Sequence, residues 1–139
     1  KKQVFNFYLN EESSTHLDLS EPLTYLYEPN AAILKSGAFN ILSKKTGVKK
    51  LHKHSHLYTS KELIDFPGRS FIITNILEYN KKKFKKVFNE TKANVTIRNF
   101  PESVQQIRKK MKLKDGGDDY LFFTTNLNDE KIIIQTKKA

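Results

Sequence analysis

The stretch NKKKFKKVFNE, residues 80–90, packs five lysines into what reads as one helix. Phe84, Val87 and Phe88 make its apolar stripe, and Lys81, Lys82, Lys83, Lys85 and Lys86 cover the rest. The first three lysines fall in the first turn, where the helix dipole is positive and a cation costs a few tenths of a kcal/mol. Acidic residues would be the stabilising choice there. A run that defies the local rule points to a polyanionic partner, since helix amides and ammonium groups together attract phosphate. The same residues also describe a solvated face, so both readings stand. A second group, Arg108, Lys109, Lys110, Lys112 and Lys114, closes a later helix, where the dipole favours cations without any ligand. Right-handed strand–helix–strand connections would put both helices on one side of a sheet and merge the two groups into a stripe. Arg98 would add to it from the intervening strand. Lysine ammoniums are point charges, so such a stripe suits the phosphates and shape of folded RNA rather than base readout. The predicted RNA contacts are Lys81, Lys82, Lys83, Lys85, Lys86, Arg98, Lys109, Lys110 and Lys112.

Other chemistry is sparser. LHKHSHLYTS, residues 51–60, alternates so that His52, His54 and His56 would share one face of a strand. Three imidazoles in mutual reach could ligate zinc. A solvated strand face is the alternative, and no nearby carboxylate offers itself as an outer partner. Glu28, beside Pro29 and Asn30, has no acid–base companion in the sequence. Asp115, Asp118 and Asp119 lie in a Gly-rich turn. There is no cysteine nucleophile, Gly-x-Ser-x-Gly elbow or Walker-type loop, so no catalytic residue and no metal site is assigned.

The elements that must position these residues fall into two small lobes, an α+β arrangement. In the first, residues 1–66, VFNFYLN reads as a strand, with His16 to Leu19 as a short partner. Tyr25 to Tyr27 form a strand that Pro29 stops, and Asn30 caps a buried helix that Gly47 closes. FPGR at 66–69 is the joint. In the second lobe, residues 67–139, the order is strand, helix, strand, helix, strand, strand, with both helices on one side. FIITNILEY is the first strand, and Asn80 caps a helix running to about Thr91. ANVTIRNF is the next strand. Pro101 starts a helix with Val104, Ile107 and Met111 inward, which Asp115, Gly116 and Gly117 end. DYLFFTTNL and KIIIQT make a hairpin about Asn128 and Asp129.

Charge separates the halves. The chain of 139 residues carries +10 overall. Residues 1–66 hold nine basic and seven acidic side chains, residues 67–139 sixteen and eight. Basicity therefore concentrates in the second half, as a polyanionic partner there would require. The apolar fraction of 37% predicts no single large core. No apolar run reaches membrane-spanning length, which predicts no membrane partner. Zero cysteines exclude disulfides and fit a reducing, cytoplasmic setting. An opening Lys1 without a signal-peptide core fits a piece of a longer protein.

YLYEPNAAILKSGAF (25–39), HLYTS (56–60), FPGRSF (66–71) and TIRNFPESVQQIRKKMKLKDGGDDYLF (96–122) occur in this order across nearly the whole chain. Together they resemble the C-terminal region of a family of bacterial class I S-adenosylmethionine-dependent methyltransferases that end in a THUMP-like domain. The resemblance implies a ferredoxin-like or connecting first lobe and a THUMP-like second lobe that binds structured RNA such as tRNA or rRNA. It also implies an upstream Rossmann methyltransferase domain. S-adenosylmethionine is expected there and no cofactor in this chain, where no Gly-rich cofactor loop is found. The expected function is a non-catalytic accessory module presenting RNA to that domain. An intramolecular docking module, with lysines serving solubility, is the alternative, and a metal-dependent enzyme built on the histidines ranks last.

Overall fold

The computed structural model describes residues 19–32 and 47–139. The expected strands at VFNFYLN and His16–Asp18, and the helix beyond Ala32, lie outside the described residues. Ala31 and Ala32 are helical, and Gly47 has the positive φ of 78° expected of a helix-closing glycine. The described strands are β1 (Tyr25–Pro29), β2 (Lys49–Lys50), β3 (Tyr58–Ser60), β4 (Gly68–Glu78), β5 (Asn94–Arg98), β6 (Tyr120–Thr125) and β7 (Lys131–Lys138). Helix α1 spans Lys81–Val87 and α2 spans Val104–Met111. The class is α+β, as the element pattern predicts.

One seven-stranded sheet runs through both halves in the order β2-β3-β1-β4-β7-β6-β5. All named pairs are antiparallel except β5 and β6, which run parallel with α2 in the connection between them. Side-chain alternation divides the sheet into two apolar faces. On one, Leu121, Phe123 and Ile133 meet Phe84 and Phe88, from α1 and its end, and Ile107 and Met111 of α2. Both helices therefore cover the same face. On the other, Phe122, Ile132 and Ile134 pack with Leu26, Phe71, Leu51 and Leu57. Strands β6 and β7 are thus buried on both faces, with Leu26, Leu51 and Leu57 of the first half contributing to the outer cover.

Several local expectations need correction. The histidines do not share a strand face: residues 51–55 form turns, and regular pairing resumes at Tyr58. Leu51 and Leu57 both reach the core, on the common side the alternation gave them, but the turn over residues 53–55 and the φ of 52° at His56 break the strand between them. Helix α1 ends at Val87 rather than near Thr91, where Phe88 turns extended to pack against Phe84. Helix α2 starts three residues after Pro101, because Ser103 and Gln106 form a reciprocal capping box that satisfies two orphan amides. It stops at Lys112 in the left-handed conformation, before the Asp-Gly-Gly turn. At the joint, Gly68 answers to close packing. A Cβ there would stand 2.0 Å from the Glu28 carbonyl oxygen.

Candidate nucleic-acid interface

Helix α1 is held by Phe84, fully buried, and by Asn80, whose side chain accepts the Lys83 amide at 3.0 Å. With Phe84 pinned inward, Lys81, Lys82, Lys83 and Lys86 are exposed and Lys85 lies partly against the Phe84 ring. Helix α2 is fixed by Ile107 and Met111, which leaves Lys109, Lys110 and Lys112 outward. Because both helices pack on the same core, Lys85 feels Lys112 of the second helix as well as Lys81 of its own. The Lys85 ammonium is held below the ordinary lysine range, first by partial burial, then by the Lys112 and Lys81 charges. Lys81 and Lys85 are also one helical turn apart, a like-charge spacing that destabilises an isolated helix by a few tenths of a kcal/mol.

The predicted contacts sort into distinct groups. Lys81 and Lys112 both act electrostatically on Lys85, and none of the three has an ion-pair partner among the described residues. Lys82, Lys86 and Lys109 are exposed and likewise unpaired among the described residues. Lys83 is paired to Glu78 at 3.0 Å, with both side chains well exposed. Lys110 donates to the Tyr79 hydroxyl (3.1 Å) and to Glu102 (3.3 Å), and these two hydrogen bonds raise its pKa; its ammonium also lies over the Tyr79 ring. Tyr79 itself packs edge to face on Phe100 and donates to Glu102.

Arg98 does not join them. Its Cα partner is Thr124, two residues from Phe122, so its side chain leaves β5 on the face opposite the helices. There it pairs with Glu28, which also accepts Arg69 Nε at 2.7 Å. Period-two alternation could have assigned Arg98 a face relative to Ile97, but not its distant partner. Sequence reasoning also missed the role of His52. Its Nδ1 accepts the His54 amide at 3.0 Å, which leaves the proton on Nε2 to be donated to Asp129 Oδ1 at 2.7 Å. Ser55 donates to the Thr125 carbonyl at 2.8 Å. These contacts clamp the 51–57 segment onto the β6–β7 hairpin. Among the described residues no group of three His, Asp or Glu could hold a metal ion. Among the same residues no helix is long and apolar enough to cross a membrane.

Residues 68–138 match a family model described as THUMP domain-like, and residues 25–67 one described as a ferredoxin-like domain. The chain is similar to a solved structure named "putative methyltransferase" from Porphyromonas gingivalis W83, with a TM-score of 0.85 and 36% sequence identity. That similarity covers 94% of this chain and 33% of the other, so this chain spans about a third of its relative's length. No curated protein matches the sequence.

Proposed function

Because the chain belongs to the THUMP-like domain family through residues 68–138, we propose that it is an RNA-binding accessory module of a methyltransferase. The observation that carries the reading is that α1, with Lys81 and Lys85, and α2, which ends at Lys112, pack on the same face of the sheet, near enough for Lys85 to feel the other two charges. Such a cluster costs stability in the free protein and is repaid by counterion release when it meets phosphates. Lysines at the ends of packed helices hold phosphates at fixed spacing, so folded RNA is the partner, gripped by its backbone. Methyl transfer belongs on this reading to a separate domain that binds S-adenosylmethionine. The present chain's part is to orient the RNA for it.

The test is binding of a labelled RNA hairpin at several salt concentrations. Affinity falls linearly on a log–log plot, with a slope of roughly 0.7–0.9 per phosphate contacted. Replacing Lys81, Lys85 and Lys112 together by Gln flattens that slope by about two units. Lys83→Gln, which removes a lysine already paired to Glu78, changes it less. An unchanged slope in the triple variant would sink the reading and favour intramolecular docking.

A further inference from the structure

The corner of the sheet where β4 begins and β7 ends has a positive charge of its own, on the face away from the helices. Arg69 and Phe71 alternate onto this face of β4, and Lys138 stands opposite Phe71 across the β4–β7 ladder. Tyr120, on β6, completes the corner, its ring 5.2 Å from that of Phe71. The Arg69 guanidinium lies 5.2 Å from the Phe71 ring and 5.9 Å from the Tyr120 ring. The Lys138 ammonium lies 5.6 Å from Tyr120. Both cations therefore contact the Tyr120 ring.

Acid is in short supply around them. Glu28 is the carboxylate on Arg69, but it also holds Arg98, so one negative charge faces two guanidiniums. Lys138 has no ion-pair partner among the described residues, and its neighbour Lys137 has taken Asp119 at 3.2 Å. The Arg69 side chain is half exposed although its Nε is fixed by Glu28, so its orientation is set while donors remain for a ligand. On the Lys138 side of Tyr120 opens a hollow of about 460 Å³ lined by Gly117, Asp118, Tyr120, Lys137 and Lys138.

The geometry points to a second anion subsite at this corner, taking one phosphate group between Arg69 and Lys138 above the Tyr120 ring. A guanidinium oriented by a carboxylate and an ammonium resting on an aromatic ring are both poised to donate to phosphate oxygens. Asp118, on the rim, opposes an anion and limits its affinity. The subsite is independent of the lysine face on α1 and α2, which lies on the other side of the sheet.

Inorganic phosphate, exchanged for chloride at constant ionic strength, is titrated into the ¹⁵N-labelled chain and followed by NMR. Saturable shifts are expected at the Tyr120 and Lys138 amides and at Arg69 Nε–H. Lys138→Gln weakens the fitted affinity roughly fivefold, as loss of one solvent-exposed charge contact implies. Asp118→Asn tightens it. Non-saturating shifts, or an affinity that Lys138→Gln leaves unchanged, would overturn the assignment. An RNA hairpin that moves the same resonances identifies the phosphate as one of the RNA backbone. Hairpin shifts confined to α1 and α2, with phosphate binding intact, identify a free phosphate or nucleotide instead. Phosphate binding here without any RNA affinity would retain this subsite and remove only the RNA reading.

Discussion

Glu28 on β1 and Arg98 on β5 form an ion pair although β4, β7 and β6 lie between their strands. On a flat sheet four strand spacings alone would hold them at least about 19 Å apart, and the register sets Arg98 level with Glu78, at the other end of β4 from Arg69, the partner of Glu28. The contact therefore requires the sheet to curl, bringing the corner that carries Glu28 across the face packed with Phe71, Phe122 and Ile134. Arg69 grips the same carboxylate from the neighbouring strand.

Removing that carboxylate charge should loosen the curl. Glu28→Gln leaves two guanidiniums facing a neutral amide and is expected to destabilise the fold by about 2–3 kcal/mol, less than a fully buried pair because Arg69 is half exposed. Denaturant unfolding of the two proteins measures the difference. Equal midpoints would mean that the apolar face alone sets the curvature.

The joint at Gly68 is a packing constraint. Gly68→Ala would place a Cβ against the Glu28 carbonyl oxygen, 2.0 Å away, and force β1 from β4. The expected cost is about 2–3 kcal/mol, as for other overpacked sites. Thermal melting detects it, and a Tm matching the parent protein would contradict the geometry.

His56 should make stability fall in acid. Burial, then the charges of Lys50 and Arg98 and, least, His54, hold its imidazole below the ordinary value of 6.5. The unfolded chain therefore takes up the proton first, so this contribution is complete above pH 6.5 and declines as pH drops from there toward the folded-state pKa. Unfolding free energies measured from pH 8 to pH 5 should flatten in His56→Gln relative to the parent. An identical slope would refute the assignment.

The lysine cluster has its own titration signature. Lys112→Gln should raise the pKa of Lys85 toward its ordinary 10.5, because one of the two repelling charges is gone. NMR of ¹³C-methylated lysines reads this directly. A Lys85 titration indifferent to residue 112 would separate the two helices' charges and weaken the case for a shared phosphate site.

Much of this architecture was legible as local pattern. Asn80 as a cap, the inward Phe84, Ile107 and Met111, and the hairpin about Asn128 and Asp129 follow from short-range rules. Where the sequence misled, a long-range contact had overruled the pattern. The 51–57 histidine run alternates like a strand, yet His52 is drawn to Asp129 and Ser55 to Thr125, and the segment turns to reach them.

Residue types and their periods alone settled the α+β class and the basic second half. Capping, alternation and charge act over a few residues, and so they can be read directly from the order of side chains. Tertiary structure alone decided which cations stand together. Lys85 feels the charge of Lys112 because two helices share a core, while Arg98 departs to Glu28 because strand parity sends it to the other face. Those outcomes depend on ladder register and sheet curl, which join residues as far apart as 28 and 98 and leave no mark in either one's neighbours.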